Sequence, residues 1–174
     1  MKEIQVGLLG CGTVGTGVAK LLINSRQVIR ARLGTTLNLK RVADIDIETD
    51  RGVQFDEGVL TTDANALVND PEIDIIIEMI GGEGIAKELI LKAIDNGKQV
   101  ITANKALLAS QGNMLFKTAT DKGVDLESRA DQHLGLADNQ PGIINGIRPA
   151  VTASRQGSEV GHEVVTVDEG VGKD

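Results

Sequence analysis

The sequence predicts an α/β protein: a doubly wound parallel sheet, followed by an irregular or partial C-terminal segment. Strand-like and helix-like patterns alternate through residues 1–127, and alternation at this spacing builds a parallel sheet with helices on both faces. The apolar residues, 41% of the chain, are almost all aliphatic, with Phe55 and Phe116 the only aromatics, as suits strands buried on both sides. A glycine-rich turn, Gly10-Cys11-Gly12-Thr13-Val14-Gly15, separates the first strand from the first helix.

Each element has its own signal. Residues 4–9 are a short apolar run ending at Gly10, a buried strand by length and flanks. Val14, Val18, Leu21 and Leu22 then recur at helical spacing, which predicts one core-facing stripe. Ser25 is placed to cap a short second helix through Arg32, which Gly34 would stop. Residues 37–45 are the next strand, followed by a polar stretch to Gly58. Thr62 or Asp63 caps a short helix that ends before Pro71.

Residues 73–80 contain Ile75-Ile76-Ile77, a β-branched run typical of a central parallel strand. After Gly81-Gly82, residues 85–96 place Ile85, Ala86, Leu89, Ile90, Ala93 and Ile94 on one helical face, with Gly97 as the stop. Residues 99–102 read as a strand, 112–122 as a helix and 124–127 as a last strand. Beyond Glu127 the pattern fades. Residues 128–174 are polar and Gly-rich, with isolated apolar pairs such as Ile143-Ile144 and Val164-Val165. The expected division is a dinucleotide-binding domain over 1–127 and a divergent tail over 128–174.

Composition narrows the function. A net charge of −7 disfavours nucleic acid and anionic membrane surfaces as partners, and the lack of aromatics removes the stacking platforms that single-stranded nucleic acid needs. An anionic cofactor remains compatible, because helix N-termini bind phosphate even in an acidic protein. Cys11 is the only cysteine, so no internal disulfide framework exists and a reducing compartment fits. The apolar run at the N-terminus is too short for a signal peptide or membrane span, and a soluble, cytoplasmic protein is expected.

The glycine turn is G-x-G-x-x-G in the setting that gives the motif its meaning, after a strand and opening a helix. Gly10 permits the tight turn, Gly12 lets a pyrophosphate approach the backbone, and Gly15 lets the helix pack on the strand. Together they predict a Rossmann-type site, with the phosphates at the N–H groups of the helix start around Thr13 and Val14. Cys11 occupies a variable position of that turn with no base beside it, and is read as a packing residue. At the end of the second strand, Asp44 and Asp46 are candidates for the adenosine ribose. A carboxylate there accepts from a 2′-hydroxyl and repels a 2′-phosphate. Both lie further from the glycines than the usual ~20 residues, because the intervening helical segment is long. Arg41 and Arg51 nearby keep NADP open; NAD is favoured. Asn104-Lys105 follows a strand at the sheet edge where open α/β sheets bind ligands.

The segments GLLGCGTVGTGVAKLL, DPEIDIIIEMIGG and ITANKALLA resemble the homoserine dehydrogenase family in order and spacing. The resemblance covers residues 4–127, and its most specific part is the Asn-Lys motif after a Gly-Gly loop. It implies NAD(P)-dependent interconversion of L-homoserine and L-aspartate 4-semialdehyde, in the route to threonine and methionine, and hence an amino-acid substrate. It also implies that Gly10–Gly15 bind the pyrophosphate, that Gly81 lies near the nicotinamide ribose, and that Asn104 and Lys105 belong to the cofactor site. Lys105 would act beside the substrate oxygen, as the catalytic lysine. Some members carry an arginine at the end of the second strand for a 2′-phosphate; here Ile45 stands near that point.

The sequence departs from the family after Glu127. There the family continues with a segment of the form A-S-V-G-G-G-I-P and a substrate domain, whereas this chain reads Ser128-Arg129-Ala130-Asp131-Gln132-His133. The family's second substrate-gripping lysine has no counterpart, since Lys173 is the only lysine after Lys122. A truncated, rearranged or frameshifted relative, or a nucleotide domain on its own, is expected to bind cofactor with little turnover. The alternative is a non-catalytic NAD-binding or oligomerisation module, and exposed apolar surface on an incomplete domain predicts a homo-oligomer. His133 and His162, with Asp131 and Glu163 nearby, match no metal-ligand spacing, so no metal is expected.

Overall fold

The computed structural model of the chain describes residues 3–128. The chain enters the centre of the sheet with β1 (Glu3–Leu9), then runs through α1 (Thr13–Asn24) and α2 (Arg26–Leu33) to β2 (Thr36–Ala43). A long connection leads to the two-residue β3 (Leu60–Thr61), then α3 (Ala64–Asn69) and β4 (Ile75–Glu78). α4 (Gly84–Asp95), β5 (Gln99–Thr102), α5 (Lys105–Lys122) and β6 (Leu126–Ser128) complete the described part.

The six strands form one sheet in the order β3-β2-β1-β4-β5-β6, and every pair is parallel. From β1 the chain builds outward through β2 and β3, then returns to the other side of β1 and builds outward again. The reversal lies between β1 and β4, which pair from Val6↔Ile75 to Leu9↔Glu78. In open α/β sheets the crevice at such a reversal, beyond the strands' carboxyl ends, is where ligands bind.

Strand side chains alternate between two aliphatic layers. On one face Leu9, Ile76 and Val100 pack with Leu67 of α3, Leu89, Ile90 and Ile94 of α4, and Leu107 and Leu115 of α5. On the other, Val6, Leu8, Val42 and Ile77 pack with Ala19 and Leu22 of α1. Cys11 belongs to this second layer and is fully buried, as expected of a packing residue. Among the described residues no helix is long and apolar enough to cross a membrane.

The structure corrects several sequence expectations. The core face of α1 is Gly15, Thr16, Ala19 and Leu22, while Val14 and Leu21 are exposed. The cause is close approach: a Cβ on Gly15 would lie 2.0 Å from the Gly10 carbonyl oxygen, so small residues must face β1 where the helix begins, and Val14 turns outward. α5 begins at Lys105, seven residues before the predicted start at Gly112, because Asn104 Oδ1 accepts from Leu107 N at 3.1 Å and caps it. Ser25 makes no side-chain cap on α2, whereas Asp63 caps α3 through Ala66 N at 2.8 Å. Ile85 is exposed, although the other five residues of its predicted face on α4 are buried. β3 went unpredicted; it is an edge strand held by two register positions, Val42↔Leu60 and Ala43↔Thr61.

Ahead of β4 and β5, a polar cluster ties the connections together. Buried Lys98 donates Nζ to the carbonyls of Asp70 (2.6 Å) and Ile73 (2.8 Å), and burial pushes its ammonium below the usual lysine range. Asp70 receives Lys40 Nζ at 3.1 Å and Arg41 Nε at 3.7 Å. Burial disfavours its charge, but the Glu72 N–H, Lys40 and Arg41 outweigh that and hold its carboxyl below the usual aspartate range. A lowered native pKa contributes stability that is present above the unfolded-state value and lost as pH falls through the native one. The difference in melting temperature between the parent and Asp70→Asn should therefore be full near neutral pH and shrink under acid. A difference that stays constant with pH would remove the ion pairs as its cause.

Candidate nucleotide site

The residues expected at the cofactor site lie at the carboxyl edge of the sheet. Gly10, Gly12, Thr13, Val14 and Gly15 follow β1, Asp44 and Asp46 follow β2, Gly81 follows β4, and Asn104 and Lys105 follow β5. The fold thus brings together around the β1–β4 reversal residues that are as far as 95 positions apart in sequence.

The glycine turn is shaped by contact on one side and open on the other. Gly10 has φ +90°, and a Cβ there would lie 2.8 Å from the Met79 carbonyl. No L side chain fits that space. A Cβ on Gly12, by contrast, would meet no protein atom within 4 Å, so the protein's own packing does not account for glycine at this position. Gly17 is likewise uncrowded. α1 has Gly12 as its N-cap, with no side-chain cap and no acidic residue in its first turn. Its first N–H groups and the positive end of its dipole are therefore available to an anion.

Asp44 fastens this turn to the end of β2. Its Oδ2 accepts from Cys11 N at 2.5 Å, and its Oδ1 from Asp46 N at 2.9 Å. Arg51 Nη2 sits 3.4 Å from both the Asp44 and Asp46 carboxylates, and its Nη1 donates to the Asp46 carbonyl at 2.5 Å. A hydrogen bond from the Thr49 side chain, with backbone N–H groups of Thr49 and Glu48 and the charge of Arg51, holds Asp46 below the usual carboxylate range. Arg41, the other arginine considered from sequence, is engaged with Asp70 instead. Ile45 is almost wholly exposed. Beside the turn lies an open cleft of about 510 Å³ lined by Gly12, Thr13, Thr16, Gly17, Lys20 and Arg51.

Across the reversal, Gly81 and Gly82 both adopt positive φ, +76° and +73°. Asn104 Nδ2 donates to the Gly82 carbonyl, which ties this loop to the start of α5. Lys105 is the first residue of that helix, with its side chain exposed. Two residues that sequence reasoning passed over complete this side. Glu78 and Thr102, the last residues of β4 and β5, are buried and joined by a 2.6 Å hydrogen bond. The available signal was a carboxylate directly after Ile75-Ile76-Ile77, since acidic residues are almost never fully buried without partners. Among the described residues no cluster of His, Cys, Asp and Glu could hold a metal ion; His133 and His162 lie outside those residues.

Comparison with known proteins agrees with this geometry. Residues 10–128 match the family described as "Homoserine dehydrogenase, NAD binding domain". A homoserine dehydrogenase of Methylobacillus glycogenes is 51% identical over 109 residues, covering 63% of this chain and 26% of the relative. One from Neisseria gonorrhoeae is 38% identical over 155 residues, covering 89% and 34%. Among solved structures, the S. aureus homoserine dehydrogenase at pH 8.5 superposes with a TM-score of 0.69 at 38% identity, over 75% of this chain and 33% of that one. The enzyme from Thiobacillus denitrificans gives 0.69 at 44% identity, over 75% and 30%. The chain thus spans about a quarter to a third of the length of these relatives. The matched family fixes the cofactor class as NAD or NADP. The chain belongs to the homoserine dehydrogenase family, and its described residues form that family's NAD-binding domain.

Proposed function

We propose that the chain is the nucleotide-binding half of an oxidoreductase that interconverts L-homoserine and L-aspartate 4-semialdehyde. This reading includes the place of that reaction in the route to threonine and methionine. The observation that carries it is Lys105 at the start of α5, following an asparagine bonded to the Gly82 carbonyl. A cation there stands on the same sheet edge as an uncapped helix N-terminus.

The nicotinamide cofactor, when bound, supplies the hydride acceptor and donor. The chain's own residues do the rest. The N–H groups at the start of α1, exposed by Gly12, Thr13 and Val14, hold the pyrophosphate. Gly10 and Gly15 let the turn reach that position, and Asp44 keeps it there. Asp46 and Asp44 meet the adenosine ribose with negative charge, and Arg51 is already shared between them, so NAD is favoured over NADP. Gly81 borders the nicotinamide ribose. The Lys105 ammonium holds the substrate's oxygen or gives it a proton as the aldehyde is reduced, and in the reverse direction the neutral amine takes the alcohol proton as the carbon–hydrogen bond is broken, a role worth about 10²–10⁴ in rate. Among the described residues only the nucleotide half of that environment is built, so the chain alone is expected to bind without appreciable turnover.

Titration of the purified chain with NADH and NADPH, followed by an assay with L-homoserine, tests the reading. Saturable binding with NADH ahead of NADPH is expected; no binding of either would overturn it. Lys105→Ala should leave NADH affinity within about 0.5 kcal/mol, as for an exposed side chain without structural contacts. The same change should abolish whatever turnover is measured, and full activity in that variant would exclude the lysine from the reaction.

The two glycines of α1 give a second test. Gly15→Ala should abolish NADH binding and lower the melting temperature, because the turn must shift to admit the methyl group. Gly17→Ala should bind normally and melt at or above the parent temperature, since alanine favours an uncrowded helix position by up to about 1 kcal/mol. Equal behaviour of the two variants would refute the packing account.

A further inference from the structure

β4 ends in a buried carboxylate. Glu78 is 0% exposed, and its partners are neutral donors. Its Oε1 accepts from Ile80 N at 2.7 Å and Gly81 N at 3.3 Å, and its Oε2 accepts from the Thr102 hydroxyl at 2.6 Å. Thr102 Oγ1 in turn accepts from Asn104 N at 3.0 Å. Asn104 reaches back through Nδ2 to the Gly82 carbonyl and forward through Oδ1 to cap α5. The bonds close a ring: Glu78 grips the near end of the loop 79–82, Asn104 grips the far end, and Thr102 joins the two.

This arrangement costs more than stability of the fold requires. Burying a charge is unfavourable unless every lone pair finds a donor, and an apolar residue of similar size serves a core as well or better. The ring's outputs are also not in the core. One is the path of Gly81 and Gly82, two positive-φ residues with no side chains of their own to anchor them. The other is the first turn of α5, from which Lys105 projects. We propose that Glu78, relayed by Thr102, is a positioning residue for the nicotinamide end of the site, holding the Gly81-Gly82 loop and the Lys105 turn as one unit. This rests on the reading of the site as a nicotinamide dinucleotide site, and adds to it the residues that set its geometry on the reacting side. The glycine turn meets this loop only through the backbone of Met79 and Ile80, and the adenosine side is fixed separately by Asp44, which takes no part in the ring.

That separation of the adenosine side from the ring supplies the test. NADH and ADP-ribose, which lacks the nicotinamide, are titrated into the full chain by calorimetry, with bound NADH also followed by its own fluorescence. The chain has no Trp or Tyr to contribute emission. Thr102→Val keeps the side-chain shape but removes the relay. It should weaken NADH by about tenfold, the size of one hydrogen bond to a charged group, and leave ADP-ribose unchanged. Thr102→Ser, which restores the hydroxyl, should recover NADH binding. Glu78→Gln, with one acceptor oxygen in place of two, should show the same selective loss should the valine variant not fold. Parallel losses for both ligands, an unchanged NADH affinity, or failure of the serine to rescue would overturn the proposal. If the parent chain binds neither ligand, the dinucleotide reading itself fails, and the inference falls with it.

Discussion

The approach of the Gly10 backbone to the backbone of Met79 and Ile80 is the contact on which the site depends. It brings the turn after β1 against the turn after β4, at the point where the sheet reverses direction. A side chain at Gly10 would have to occupy space within 2.8–2.9 Å of three main-chain atoms, so the constraint is steric and cannot be relieved by a rotamer change. From it follows the position of α1, which Gly15 then allows to settle on the Gly10 carbonyl. The helix start and the cleft beside it are consequences of these two backbone contacts.

Much of this was legible in the sequence, for reasons that are local. β1, β4 and β5 are short aliphatic runs bounded by polar or glycine residues, and the glycine spacing carries its own turn chemistry. Gly34, Gly97 and Gly123 adopt the positive φ with which helices commonly end. The failures share a cause as well. The orientation of α1 is set by how closely it must approach β1, which large apolar residues at helical spacing do not report. β3 exists only through pairing with β2, a non-local event with a two-residue footprint. The start of α5 was hidden because Asn104 was read as a site residue, although the same side chain also caps the helix. At the site, the individual glycines, Asp44 and Lys105 could be picked out, but the hydrogen bonds that join Asp44 to Cys11 and Glu78 to Thr102 link residues 33 and 24 positions apart. No spacing rule shows them.

The electrostatics explain how a chain of net charge −7 can present an anion site. The carboxylates nearest the glycine turn have their charge partly offset by neighbouring donors. Asp44 is turned toward a backbone N–H and toward Arg51, and Asp46 accepts from its own loop as well as from Arg51. The cleft itself is bordered by Lys20 and Arg51 and by no acidic residue. Global charge therefore says little about local potential here, because the negative groups are committed to holding the loops.

The helix N-termini at this edge divide in a way that bears on what the site is for. α3 and α5 are capped by their own side chains, Asp63 and Asn104. α1 begins at a glycine that can offer no side-chain cap, and its first turn carries no carboxylate. An uncapped start is a net cost to an isolated domain, about 1 kcal/mol relative to a Ser, Thr, Asp or Asn cap. The domain accepts that cost at α1, and α4 beyond the Gly81-Gly82 loop also starts without a side-chain cap, while a buried carboxylate at Glu78 fixes the loop on the opposite bank. Stability has been given up at one point and rigidity added at another, and the two lie on either side of the same crevice. That pattern fits a site that must leave room for a dinucleotide's phosphates at one end and hold its reactive ring still at the other.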